Sequence, residues 1–195
     1  MLSELLKKKS LFFHLYEIDK EIAEEYRNRP CPFCGGPLYF ANYPRKPRGE
    51  PDGVPEECFI RFSLCCGREG CRRRVMPPSC RFLGQKIYWY PVILIIISNW
   101  QNQTEERSIF EMSKQSGISR NTITRWLSFF RGIFPSSPQW QSIRGQVSSS
   151  VKSDDLPGSL VKHFLSFISC TQDALISCLK FLSLGSVIYQ KTRDG

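Results

Sequence analysis

The chain has 195 residues, 41% of them hydrophobic, which suffices for one modest core or two small ones and excludes a disordered tail. Its formal net charge of +9 and pI near 9.2 create a field that attracts polyanions, so nucleic acid or an anionic surface is the expected partner class. The surplus lies between residues 31 and 145, where sixteen basic side chains face eight acidic ones; both ends are near balance.

Residues 1–29 carry Leu2, Leu5, Leu6, Leu15, Ile18 and Ile22 among charges at roughly helical spacing, which predicts one or two amphipathic helices ending at Arg29 and Pro30. The apolar stretch from Leu11 to Leu15 is too short for a signal peptide and is interrupted by His14. Nine cysteines are therefore expected in a reducing, cytoplasmic setting, with the nucleoid as the location if DNA is the partner.

From residue 30 to 80 short apolar runs are broken by Gly and Pro, as in a small sheet with long turns. Here Cys31-Pro32-Phe33-Cys34-Gly35-Gly36 reads as a metal knuckle, with glycines that allow a tight turn and close backbone approach to sulfur. A second pair, Cys66 and Cys71, completes four thiolates, enough for a closed tetrahedral zinc site with bonds of about 2.3 Å. Such a site has no open position for water or substrate, so the expected Zn2+ is structural and replaces a core too small to hold a ribbon together. Cys65 competes with Cys66; Cys66 is preferred because Phe62, Leu64 and Cys66 would share one strand face. A redox role for Cys31 and Cys34 lacks a βαβ context. Cys58, Cys80, Cys170 and Cys178 have no paired spacing and read as core or surface residues.

Arg68, Arg72, Arg73 and Arg74 surround the second pair, followed by Arg81 and Lys86, more positive charge than a four-thiolate site needs for balance. Contact with phosphate is the expectation, notably for Arg72, Arg73 and Arg74. A Pro-rich loop from Tyr43 to Pro55 carries Arg45, Lys46 and Arg48, which either touch a nucleic-acid backbone or do nothing.

Residues 88–134 read as a helix-turn-helix unit. The apolar run Val92 to Ile97 falls short of the roughly 20 residues that span a bilayer, so no membrane is expected; as a buried segment it suits a first helix or a strand nearly equally. Ile109, Met112 and Ser113 would pack one helix inward, Gly117 would make the turn, and Ile118 would plug the corner. Ser119 would cap a second helix with Ile123, Trp126 and Leu127 at core spacing and Phe129 and Phe130 continuing the buried face. Arg120, Asn121, Thr122, Thr124 and Arg125 are left facing outward, residue types that reach base edges and phosphates in the major groove. An ordinary helical hairpin with a polar face is the competing interpretation.

Residues 135–158, rich in Ser, Gln, Pro and Gly, read as a linker. In 159–195, Leu160, Phe164, Leu165 and Ile168, then Leu175, Ile176, Leu179 and Leu182, predict two amphipathic helices. With the N-terminal helices these would serve as a protein-docking surface or as the interface of a homodimer reading two half-sites.

The whole is a small α+β chain: a four-cysteine zinc ribbon, a three-helix helix-turn-helix unit, and helical ends. On Cys31/Cys34, Cys66/Cys71 with the trailing arginines, and Ile109 to Arg131, it resembles the zinc-ribbon and helix-turn-helix proteins of bacterial insertion sequences, as the DNA-binding part of a transposase or as an accessory protein. The resemblance covers about half the chain and implies recognition of element ends or of the element's promoter, beside a separate transposase. The three converging carboxylates of a transposase are not apparent among Glu105, Glu106, Glu111, Asp154, Asp155, Asp173 and Asp194, so a non-enzymatic role is expected. An RNA-binding ribbon protein and a transcriptional regulator unrelated to transposition are the alternatives.

Overall fold

A computed structural model describes residues 2–84, 86, 88–101 and 109–192, and among them eight α-helices accompany two small antiparallel sheets. Short α1 (Leu2–Leu5) leads into α2 (Lys9–Arg27), which buries Leu11, Phe12, Leu15, Ile18, Ala23 and Tyr26 along one helical stripe. Asn28 closes the helix, donating its N–H back to Glu24, and Pro30 cannot continue it.

The segment that follows forms β1 (Leu38–Phe40), β2 (Tyr43–Pro44), β3 (Ile60–Arg61), β4 (Leu64–Cys66) and β5 (Arg74–Val75). Strands β1, β4 and β5 make one sheet with β4 central, registered by Leu38 opposite Cys66 and Leu64 opposite Val75. Strands β2 and β3 pair separately, so the Pro-rich loop expected from Tyr43 begins as a strand. Leu38, Leu64, Cys66 and Val75 pack with Tyr26 and Cys31 into a small core under the cysteine pairs.

The apolar run after Pro91 is helical: α3 (Tyr90–Gln101) buries Val92, Ile93, Leu94, Ile95 and Ile97, which point in every direction around the axis. A helix apolar on all sides has to be interior, and α3 packs against α1 and against later helices on its other sides. Next come α4 (Ile109–Ser116) and α5 (Arg120–Ser128), with a π-helical turn, Phe129–Ile133, extending the latter. The link between α3 and α4, including Glu105 and Glu106, lies outside the described residues, as does Asp194.

The stretch 135–158, expected as a linker, carries a helix and core residues. Ser137 accepts from the Trp140 N–H and Pro138 occupies the first turn of α6 (Pro138–Ile143), whose Trp140 and Ile143 are buried. Then α7 (Gly158–Phe167) and α8 (Thr171–Thr192) pack on each other, and α6 lies against α8. One continuous core runs from Leu5 to Leu182 and includes Leu11, Leu15, Leu160, Leu175, Ile176 and Leu179. Of the apolar positions in the two terminal segments, Leu5, Leu15, Ile18, Leu160, Leu175, Ile176, Leu179 and Leu182 are buried in this core, and Leu6, Ile22, Phe164 and Leu165 pack against it half-buried. Among the described residues no helix is long and apolar enough to cross a membrane.

Arg81 corrects a further expectation. It is fully buried, donating from Nε to Asp19 Oδ2 at 2.8 Å and from its terminal nitrogens to the carbonyls of Cys58 and Ile60 at 2.6 and 2.9 Å. It therefore cannot touch a phosphate; it ties α2 to the segments on either side of the sheets. Cys58, Cys80 and Cys178 are buried core thiols, and Cys170 is exposed.

Candidate metal centre and nucleic-acid face

The sheet register brings the two cysteine pairs together. Cys66 ends β4 opposite Leu38 of β1, a few residues after the first knuckle, and its N–H is tied to Arg73 O while Gly67 N–H donates to Pro37 O. The first knuckle is closed by Cys31 N–H to Gly36 O and Gly35 N–H to Cys31 O, both 2.8 Å. As a result the ligand atoms of Cys31, Cys34, Cys66 and Cys71 all lie within 4.8 Å of one another. The Cys31 and Cys71 sulfurs are 3.9 Å apart, and those of Cys34 and Cys66 are 3.4 Å apart. A tetrahedron with metal–sulfur bonds of about 2.3 Å has edges of about 3.8 Å, so the four sulfurs fit one ion. Cys65 turns the other way and lies by the Arg72 carbonyl, as strand alternation requires.

Backbone N–H groups favour charge on the sulfurs, and burial opposes it. Arg68 N–H donates to Cys66 Sγ at 3.4 Å, and backbone N–H groups of Gly36 and Arg73 reach Cys34 and Cys71. The Gly36 contact pulls the Cys34 thiol down to about 7, whereas burial pushes Cys66 up to about 12. Four thiolates this close repel one another, and a cation among them removes that cost. Gly36 sits against the sulfurs: a Cβ there would meet Arg68 Cβ at 2.9 Å and Cys66 Sγ at 3.1 Å. No other residue fits without moving the knuckles.

The arginines around the centre divide by what they touch. Arg72, Arg73 and Arg74 are exposed, but the Arg74 guanidinium donates to Ala41 O at 2.9 Å and to Ser63 Oγ at 2.6 Å, and that of Arg73 lies 4.8 Å from the Phe33 ring. Arg72 stands with φ +47°, a left-handed conformation unusual for a residue with a side chain. From the Pro-rich loop, Arg45 turns inward to Lys86 O at 2.9 Å.

The second expected site lies on α4 and α5. Gly117, at φ +68°, makes the turn, Ile118 is buried in the corner, and Ser119 Oγ accepts from Thr122 N–H. Inward, α5 places Ile123, Trp126 and Leu127, with Trp126 edge-on to Tyr88 at 5.0 Å; Phe130 is buried and Phe129 half-buried. Outward it leaves Arg120, Asn121, Thr124 and Arg125 exposed. Thr122 is half-buried, and its hydroxyl is 2.9 Å from Ser119 Oγ, so it belongs to the cap. Between the two sites the sequence reading missed the buried Asp19–Arg81 pair, which no local pattern around Arg81 announces.

Comparison with protein families, characterised proteins and solved structures gives no match to this chain.

Proposed function

We propose that the chain is a DNA-binding protein that reads sequence with α5 and is held together beside it by one structural zinc ion on Cys31, Cys34, Cys66 and Cys71. The observation that carries the reading is the two-sidedness of α5. Its capped first turns expose Arg120, Asn121, Thr124 and Arg125 while Ile123, Trp126 and Leu127 anchor the opposite side. A rigid helix whose free face carries two arginines, an asparagine and a threonine presents donors and acceptors matched to guanine and adenine edges.

Zinc suits the four-sulfur donor set, which selects a tetrahedral thiophilic ion and leaves it no position for a reacting ligand. The role is therefore binding without catalysis. The target proposed from the motif resemblance is the end or promoter of a mobile element, with strand transfer supplied by a separate transposase. Enrichment of bound sequences from a random duplex pool tests the reading: wild-type protein should enrich one motif, and Asn121→Ala should lose it. Enrichment of no motif by the zinc-loaded chain would count against it.

One observation favours a second reading, in which the metal module binds single-stranded nucleic acid such as RNA. Phe33, Tyr39 and Phe40 are exposed around it, and Arg73 and Arg27 lie over two of those rings. Exposed rings among arginines can stack unpaired bases.

A further inference from the structure

A cleft of about 560 Å³ opens between the sheets and the helical body. Its walls come from β2 with the following Arg45, from β3, from residues 76–79, 82–84 and 86, and from Tyr90, Phe129, Gln139 and Leu182 of the helical part. The volume falls within the range of small-molecule sites, and the lining follows their usual composition, apolar surface with a few polar groups.

We propose that this cleft binds a small organic anion, an apolar body bearing a carboxylate or phosphate head, with Arg61, Arg45 and Lys86 facing the head.

The first argument is charge. Arg61 and Arg81 are both buried, and among the described residues the one buried carboxylate, Asp19, is ion-paired to Arg81 at 2.8 Å and reaches Arg61 only through its field. Arg61 is held by the carbonyls of Phe62 and Pro77, which are neutral. Burial lowers its pKa to about 10, which still leaves it charged at neutral pH. Arg45 and Lys86 add two more cations to the same walls, and among the described residues no carboxylate lines the cleft. A buried cation that has to share its counter-ion is costly, and a bound anion would lower that cost.

The second argument is the wall. Phe129 begins the π-helical turn after α5, a local distortion that is frequent at functional sites. With Phe82 and Leu83 it gives the lining apolar side chains against which the body of the ligand can pack. A DNA phosphate offers no such body, so the shape of the cleft favours a discrete small molecule.

Calorimetric titration of the zinc-loaded full chain with naphthoate and with phenyl phosphate tests this independently of DNA reading. At least one should saturate at one per chain, with naphthylmethanol, the neutral counterpart, binding about tenfold or more weakly. Arg45→Gln combined with Lys86→Gln, at the half-buried rim, should weaken the anion about tenfold while zinc content and circular dichroism stay as in wild type. Leu83→Trp, which fills the cleft without touching a charge, should block both anions. The proposal is overturned if neither anion saturates, if naphthylmethanol binds equally well, if inorganic phosphate binds as tightly as phenyl phosphate, or if the double variant binds like wild type.

Discussion

Asp19 on α2 and Arg81, sixty-two residues later, form an ion pair with both side chains fully buried. Ser79 Oγ and Cys80 N–H also donate to the Asp19 carboxylate, and the Arg81 guanidinium is surrounded by the rings of Tyr16, Phe62 and Phe82. Removing one partner leaves the other charged, buried and alone, so Asp19→Ala should destabilise the fold by about 3–5 kcal/mol. The double change Asp19→Ala with Arg81→Met should cost clearly less than the sum of the two singles. Urea unfolding of the three variants measures this, and strictly additive losses would show that the pair is not coupled.

The four-cysteine cluster, as a zinc site, predicts a pattern across neighbouring residues. Elemental analysis should find one zinc per chain in wild type, and little in Cys34→Ser or Cys66→Ser, while Cys65→Ser keeps its metal because that sulfur faces away. Gly36→Ala should lower zinc affinity and thermal stability because its methyl group meets Cys66 Sγ and Arg68 Cβ. Gly145→Ala, with open space around the added carbon, is the control and should change neither.

At the turn before α5, Ser119→Ala removes the acceptor for Thr122 N–H and should cost about 1 kcal/mol of stability. Gly117→Ala places a Cβ at φ +68° and should cost about 1–2 kcal/mol. Both losses should appear in thermal unfolding, and neither variant adds or removes an exposed polar side chain on α5.

The four cysteines were legible because their spacing is local, and the choice of Cys66 over Cys65 followed from alternation along β4. The turn and cap were legible for the same reason: Gly117 and Ser119 act within a few residues of themselves. Arg81 was not, since a basic residue after three arginines reads as surface until Asp19 is brought to it from another element. The helicity of α3 was ambiguous because a β-branched apolar run fits either state, and burial on all sides decides it. In α6 the signals were present, Ser137 and Pro138 before Trp140 and Ile143, but the polar composition around them pointed to a linker.

Arg72 and Arg74 are adjacent in sequence and should respond oppositely. Arg72 is exposed and held at φ +47°, so Arg72→Gly should leave stability unchanged or raise it while lowering the salt slope of DNA binding by about one. Arg74 is bonded to Ala41 O and Ser63 Oγ, so Arg74→Ala should cost about 1 kcal/mol of stability. Denaturation and binding at several salt concentrations, measured on both variants, separate the two effects.

The central claim is that the outer face of α5 discriminates bases. Its most direct test is a titration of wild type, Arg120→Ala and Asn121→Ala with the duplex enriched by the wild-type chain and with a random duplex of equal length, at matched salt. Both side chains are exposed and lie outside the core, so the variants should fold as wild type does. Each should lose about 1–3 kcal/mol on the enriched duplex and almost nothing on the random one. Equal loss on both duplexes, or no loss on either, would contradict the claim.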